Sequence, residues 1–264
     1  MTGPTQIMTV AAAVLLALVD GSPSRDRPAR QGTGRASDRV TVGPSAAHQF
    51  YFSRAAYTGL GRGRFESWTT DYPKADIQFL FGLTRLTGID AYERQHPVRL
   101  DRPELRRFPF LYAVEVGYMA LTEAEVQGLR GYLLAGGFLV CDDFWGTREW
   151  ENFAAQMARV LPEYPIVEIP LDHPLLHTFY EIDEILQVPN AMLARLGGQT
   201  FEKDGFVPHL RGIFDHQGRL MVAVNWNTDL GDAWEWADDP AYPIRFGNFA
   251  YQLGINLVVY GMSR

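Results

Sequence analysis

The sequence predicts an α/β fold with a mostly parallel central sheet. Three consecutive segments carry this prediction: an apolar run at 108–117, an amphipathic segment at 121–137 and a second apolar run at 138–146. Short, nearly continuous apolar runs rich in β-branched and aromatic residues are typical of strands buried on both faces. Strand, helix and strand at this spacing form a βαβ unit, whose crossover is right-handed and whose strands are parallel.

Length and composition set the limits of this prediction. The chain has 264 residues, of which 47% are hydrophobic and 21% charged, so it can bury a full core and is neither disordered nor fibrous. Its 24 basic and 31 acidic residues give a net charge of −7, which disfavours nucleic acid as a partner. The single cysteine, Cys141, excludes an internal disulfide and a multi-cysteine metal site.

The first 47 residues predict where the protein is located and add no element to its fold. Residues 1–21 are predicted to be a signal peptide, because the uncharged run at 7–19 is shorter than the roughly 20 residues of a membrane-spanning helix. We therefore expect export to the periplasm or beyond, with a retained N-terminal anchor as the alternative. Residues 22–47 are rich in arginine and small residues, which predicts a disordered linker dispensable for folding, or one with weak membrane association. Residues 48–264 form the predicted α/β domain.

The first elements of this domain are a strand at 50–57 and a helix at 75–90. Asp71 and Pro73 indicate the start of that helix, and Gly88 indicates its end. Five apolar residues close to helical spacing predict its packing face. They are Ile77, Leu80, Phe81, Leu83 and Leu86.

The remaining elements follow from the same patterns. Thr122 stands three residues before Glu125, which is the spacing of a capping box at the start of the helix at 121–137. Periodicity then predicts a helix, a strand, a loop with one helical turn, a strand and a closing helix. Their ranges are 147–162, 165–170, 172–189, 218–231 and 246–262.

Polar residues follow two of the predicted strands, where ligands bind in open α/β sheets. Asp142, Asp143 and Trp145 leave one strand, and a second set leaves another. That second set consists of Asn225, Trp226, Asn227 and Asp229. Adjacent carboxylates point to opposite faces of a strand, so we expect one of the two aspartates to face the crevice and the other to cap the following helix.

His173 follows the strand at 165–170, so we expect it at the same edge of the sheet as Asp143, Trp145 and Asn225. Two functions stay open. The first is non-catalytic binding of a small ligand or an envelope protein by Asp143, Trp145, His173, Asn225, Trp226 and Asp229. The second is a hydrolase, possibly acting on carbohydrate, with Asp142 or Asp143 as general base and His173 as acid or orienting group.

Other catalytic patterns are weak. Pro174 separates His173 from His177, so the two rings need not share a helical face, and neither a metal nor another cofactor is expected. Cys141 lies within a buried strand, followed by two carboxylates, which predicts a buried and unreactive thiol. The serine-elbow motif GxSxG does not occur in the sequence.

Several segments together resemble the bacterial domain-of-unknown-function family 4159 (DUF4159), from about Phe50 to Tyr260. They are FYFSRAAYTG, WTTDYPKADIQFL, FPFLYAVEVGYMALTEAEVQGLRGYLLAGGFLVCDDFWG, DHPLLHTFYEI and GINLVVY. The resemblance implies a flavodoxin-like three-layer sandwich similar to class I glutamine amidotransferases and to trehalose-utilisation (ThuA-like) proteins. It implies no activity, because Cys141 precedes the position of the amidotransferase nucleophile. The ATPases and von Willebrand-type proteins that often accompany this family suggest an assembly or binding role.

Overall fold

The computed structural model describes residues 48–61 and 67–263, so the predicted signal peptide and linker lie outside the described residues. Seven strands form one sheet, with helices on both faces, which confirms the α/β class. The strands are β1 (Ser53–Ala56), β2 (His96–Arg99), β3 (Phe110–Val114), β4 (Phe138–Asp142), β5 (Ile166–Glu168), β6 (His209–Phe214) and β7 (Leu220–Trp226).

The sheet is mostly parallel, in the order β2-β1-β3-β4-β7-β6-β5. All neighbours from β2 to β7 in that order run parallel, whereas β6 is antiparallel to both β7 and β5. Val114 of β3 pairs with Asp142 of β4, and Cys141 pairs with Val224 of β7. The carboxyl ends of β3, β4 and β7 are therefore level with one another.

The helices divide the core between two faces of the sheet. They are α1 (Lys74–Thr87), α2 (Glu123–Leu134), α3 (Gly146–Val160), α4 (Ala191–Leu196), α5 (Leu230–Glu235) and α6 (Ile244–Met262). Residues of α1, α4, α5 and α6 pack on one face, called here the α6 face, and residues of α2 and α3 pack on the other, the α3 face. Val140 belongs to the α6 face and Cys141 to the α3 face, so the alternation of side chains turns Asp142 toward the α6 face.

The predicted helix signals are confirmed at two places. Gly88 ends α1 in the left-handed conformation at φ 74°. Thr122 and Glu125 form the capping box of α2, each side chain accepting a hydrogen bond from the other's backbone N–H.

The predicted packing face of α1 is wrong in part. Leu80 and Leu83 are buried as predicted, but Ile77, Phe81 and Leu86 are exposed. The helix carries two apolar stripes, and the one that contains Phe79 and Leu83 faces the core. Periodicity alone does not distinguish two overlapping stripes on one helix.

Both edge strands of the sheet are short. At one edge β2 has four residues, one of them Pro97, and it was not predicted. At the other edge β5 has three residues and pairs with β6. The strand β6 was not predicted either. Within the described ranges, 48–61 and 67–263, no helix combines the length and apolar character needed to cross a membrane.

Candidate functional site

The residue that follows each of three neighbouring parallel strands has a left-handed backbone. Glu115 follows β3 at φ 53°, Asp143 follows β4 at φ 51°, and Asn227 follows β7 at φ 62°. A non-glycine residue in this region costs about 1–3 kcal/mol, and such residues cluster at functional sites. The strain at these three strand ends therefore marks the carboxyl edge of the sheet as the candidate site.

Carboxylates converge at this edge on the α6 face. Oxygen atoms of Asp71, Asp143 and Asp229 all lie within 4.8 Å of one another, and so do oxygen atoms of Asp71, Asp232 and Glu235. These five residues are called here the acidic cluster. Asp71 belongs to both groups and also has a left-handed backbone, at φ 60°. The chain thus brings together carboxylates from the segment before α1, the end of β4, and α5 with its N-cap residue.

The surroundings of the acidic cluster favour the neutral form of its carboxyl groups. Burial raises the pKa of Asp143 well above its usual range, and the charges of Glu115 and Asp71 raise it further. Burial also raises the pKa of Asp229, as does the charge of Asp143. The pKa of Asp71 is raised by burial and then by Asp232, while Arg54 lowers it. Asp71, Asp143 and Asp229 therefore each have a reason to bind a proton or another cation.

Asp142 lies beside the cluster and holds the start of α5. Its Oδ2 accepts hydrogen bonds from the Tyr112 hydroxyl at 2.6 Å and from the backbone N–H groups of Leu230 at 2.9 Å and Gly231 at 3.1 Å. Burial raises the pKa of Asp142 to about 7, although these hydrogen bonds oppose the shift. A side chain added at Gly231 would place its Cβ 2.6 Å from Asp71 Oδ2, so this glycine permits the close approach.

The expectation that Asp142 or Asp143 caps the helix after β4 is wrong. At the start of α3, the N–H of Gly146 donates to Asn227 Oδ1 at 2.8 Å, and that of Thr147 donates to Asp204 Oδ1 at 3.0 Å. Asp142 instead accepts from α5, because its side chain points to the α6 face whereas α3 packs on the other face. A more distant segment of the chain provides the caps of α3.

Trp145 is buried next to Asp143. Its side chain is 2% exposed, and its Nε1 donates to Asp143 Oδ1 at 3.1 Å. The backbone N–H of Trp145 donates to Glu149 Oε2 at 2.6 Å, which holds the loop against the first turn of α3. The indole therefore closes one side of the site and fixes the orientation of the Asp143 carboxylate.

A buried ion pair stands close to the acidic cluster. Arg54 of β1 donates from Nε to both carboxylate oxygens of Asp76, at 3.1 and 3.0 Å, and a second guanidinium nitrogen contacts the same carboxylate. Its remaining terminal nitrogen donates to the carbonyl groups of Trp68 at 3.2 Å and Thr70 at 2.9 Å. Arg54 is thus committed to Asp76 and the preceding loop rather than to the acidic cluster.

Asp71 Oδ2, Asp142 Oδ1 and Asn225 Nδ2 are among the buried polar atoms at this edge that have no hydrogen-bond partner among the described residues. Asp142 and Asn225 follow directly after the paired residues Cys141 and Val224, so they are neighbours on adjacent strands. Both are essentially fully buried, at 0% and 1% exposure. An unpaired buried polar atom costs about 1–3 kcal/mol, and water or a bound ion commonly satisfies it.

The structure brings together five of the predicted site residues at the carboxyl edge. They are Asp142, Asp143, Trp145, Asn225 and Asp229. His173 is not among them. Its ring packs 5.6 Å from Phe214 and 5.7 Å from Tyr260, next to residues that mark the start of β7 and of β4. The expectation that His173 joins Asp143 is wrong, because the chain turns back after β5 toward the amino end of the sheet.

Trp226 lies at the predicted edge but on the α3 face. Its ring stacks on His209 at 5.0 Å, contacts Trp150 at 4.6 Å and lies 4.5 Å from the Arg211 guanidinium. The period-two alternation of β7 separates Trp226 from Asn225, which faces the other side of the sheet. Trp226 therefore does not line the acidic cluster.

The sequence of the chain matches a known family over most of its length. The model of DUF4159, described as a domain of unknown function, matches residues 55–262. The chain belongs to this family. All residues of the acidic cluster lie within the matched DUF4159 region. No curated protein gives a significant match.

The sequence analysis missed several residues of this DUF4159 site. Asp71 was assigned to the start of α1, but the residue at the cap position is Pro73, and no side chain caps this helix. Asp232 and Glu235 were not predicted. The rule that placed Asp143 at the carboxyl edge also applies to Glu115, because Glu115 follows β3 as Asp143 follows β4. The burial predicted for Cys141 is confirmed, and burial also raises its pKa; its low reactivity stays a prediction.

Proposed function

We propose that this protein is an exported, non-catalytic α/β domain that binds a positively charged ligand at the carboxyl edge of its sheet. The observation that carries the proposal is the convergence of Asp71, Asp143 and Asp229 within 4.8 Å. Burying like charges together opposes folding, so a chain that does so gains most when a cation binds there. The ligand can be a small molecule, or a positively charged group of a protein partner in the envelope.

Two features favour binding over hydrolysis. Trp145 is buried and its indole donates to Asp143, so this carboxylate is oriented by an indole rather than open to an attacking water. The hydrolase alternative also requires His173 near Asp142 or Asp143, and His173 packs against Phe214 and Tyr260 at the other end of the sheet. A general base without its partner acid has no support in this arrangement.

We also propose that the fold is flavodoxin-like and similar to that of class I glutamine amidotransferases and ThuA-like proteins. The strand order supports this proposal. The five parallel strands, numbered along the chain, stand in the order 2-1-3-4-5, which is the flavodoxin order, with an antiparallel extension by β6 and β5. In that fold ligands bind outside the carboxyl ends of the strands, where the acidic cluster lies. Export rests on the predicted signal peptide alone, and an envelope partner rests on the family resemblance.

The substitution Asp143→Asn tests whether the Asp143 carboxylate stabilises the fold or instead destabilises it, as expected for a ligand-binding group. Asparagine has the same shape, adopts a left-handed backbone readily and can still accept from Trp145. We expect the substitution to raise the free energy of unfolding by about 1 kcal/mol at pH 7.5, because it removes a buried like charge. Urea unfolding of the full chain in the presence of a chelator measures this change.

The exposed carboxylate of Asp172 provides the matched control. We expect Asp172→Asn to leave the stability unchanged. A loss of stability in Asp143→Asn would show that folding needs this carboxylate and would contradict the proposed binding role. A gain that equals the effect of Asp172→Asn would reflect net charge rather than the cluster, and would contradict it as well.

A further inference from the structure

The donor atoms of the acidic cluster restrict the class of cation. Asp71, Asp143 and Asp229 offer only carboxylate oxygens. Hard divalent cations prefer such ligands, whereas zinc and copper sites in proteins usually include histidine or cysteine. Ca²⁺ binds oxygen at about 2.3–2.6 Å, so two ligands on opposite sides of the ion are about 4.6–5.2 Å apart. Three carboxylate oxygens that lie within 4.8 Å of one another can therefore bind the same ion.

The charge balance of the site also favours a metal ion. Asp143 and Asp229 are 7% and 3% exposed, and their carboxylate oxygens lie within 4.8 Å of each other. Arg54 is the cation that acts on Asp71, but its guanidinium is bound by Asp76. A divalent cation would supply two positive charges at the point where the three carboxylates meet.

A separate observation comes from atoms that the three carboxylates do not explain. Asp142 is fully buried, and its Oδ1 has no hydrogen-bond partner among the described residues. The same side chain accepts a hydrogen bond from the N–H of Gly231. Gly231 in turn lies against the acidic cluster, because a Cβ added to it would be 2.6 Å from Asp71 Oδ2 and 3.5 Å from Asp229 Oδ1. Asp71 Oδ2 is likewise without a partner among the described residues. A hydrated cation satisfies both atoms, by direct ligation of Asp71 and by a water that donates to Asp142.

The space between these side chains requires a small ligand. Trp145 contacts Asp143 directly, and the carboxylate oxygens are already within 4.8 Å of one another. A bulky organic cation would have to separate them, whereas a metal ion would not. We propose that Asp71, Asp143 and Asp229 bind a hard divalent cation, of the class of Ca²⁺, Mg²⁺ and Mn²⁺. This assignment rests on the proposed function and names its ligand.

Titration of the chelator-treated full chain with Ca²⁺, Mg²⁺ and Mn²⁺ tests the assignment. Isothermal calorimetry measures binding of each ion, and electron paramagnetic resonance measures the fraction of free Mn²⁺. We expect saturable binding of one ion and a higher unfolding midpoint in its presence. Asp71→Asn, Asp143→Asn and Asp229→Asn should each weaken binding by at least about tenfold, since loss of even an indirect metal contact costs 10–100-fold. Asp172→Asn should leave it unchanged.

Asparagine at position 229 can still cap α5, so this variant is expected to fold. Binding that persists unchanged in the three variants would place the ion elsewhere and overturn the assignment. Failure of all three ions to bind the wild-type chain would also overturn it. If Asp143→Asn nevertheless stabilises the chelated protein, the proposed function stands with a non-metal cation as its ligand. If Asp143→Asn destabilises the protein, the proposed function fails too.

Discussion

Two groups of buried charge lie close together on the α6 face, and the chain treats them differently. The Asp76 carboxylate is fully buried and receives several N–H donors from the Arg54 guanidinium, so it has a counter-charge within the fold, although burial still raises its pKa. The acidic cluster gathers carboxylates from three segments, and its leading electrostatic influences are burial and other carboxylates. The first arrangement serves folding. The second opposes folding, which is why we assign its compensation to a ligand.

Asp76→Asn should have the largest effect of the changes considered, and it tests the first half of this comparison. The substitution leaves the Arg54 charge buried without a counter-charge, so we expect the free energy of unfolding to fall by about 3–5 kcal/mol. Urea unfolding at pH 7.5 measures the loss. Glu163→Gln, which breaks the exposed pair with Arg130, is the control and should change little. Wild-type stability in Asp76→Asn would mean that the pair is not needed for folding.

The pH dependence of stability tests the second half. Burial raises the pKa of Asp142 to about 7, whereas an unfolded aspartate titrates near 3.9. Between these values the folded state binds more protons, so the free energy of unfolding falls as the pH rises from about 4 to about 7. With a chelator present we expect a decrease of about 2 kcal/mol from this group between pH 5 and pH 7.

Asp142→Asn should reduce the slope of this profile, since the amide does not titrate and can still accept from Leu230 and Gly231. Denaturant unfolding at several pH values measures both proteins. Stability that increases over this pH range in the wild-type chain would refute the raised pKa. An equal slope in the variant would assign the effect to other groups.

Tyr112→Phe should have the smallest effect and refines the comparison. The Tyr112 hydroxyl donates to Asp142 Oδ2 at 2.6 Å and favours its ionised form. Its removal should cost about 1 kcal/mol and should move the midpoint of the pH profile upward. Tyr132→Phe removes a hydroxyl that donates to the Phe138 carbonyl at 3.2 Å, and it should leave the midpoint in place. A midpoint that moves equally in both variants would show that the hydrogen bond from Tyr112 does not set the pKa of Asp142.

The sequence predicted those parts of the site that depend on local pattern. The βαβ unit at 108–146 follows from short-range periodicity, and it places Asp142 and Asp143 at the carboxyl end of β4. The same rule applied to β7 places Asn225 and Asp229 at this edge. Parallel strands bring such residues together whatever the details of packing.

The errors arose where the path of the chain between elements decides the outcome. His173 follows β5, but the His173 N–H bonds back to the Pro170 carbonyl at 3.0 Å, and the chain then returns toward the start of β4. Asp71 is fifteen residues beyond the end of β1, counted from Ala56, so no local pattern links it to that strand end. Its position depends on the loop that Arg54 holds through the Trp68 and Thr70 carbonyls.

The short strands at the two borders of the sheet have a consequence for self-association. A long, flat border strand offers free backbone groups to a second chain, which favours aggregation and domain swapping. Here one border strand has four residues and includes Pro97, which has no N–H to donate, and the other has three residues and includes Glu168. Growth of the sheet by addition of a foreign strand is therefore poorly supported at either border, and the domain can tolerate high local concentrations without forming intermolecular sheets.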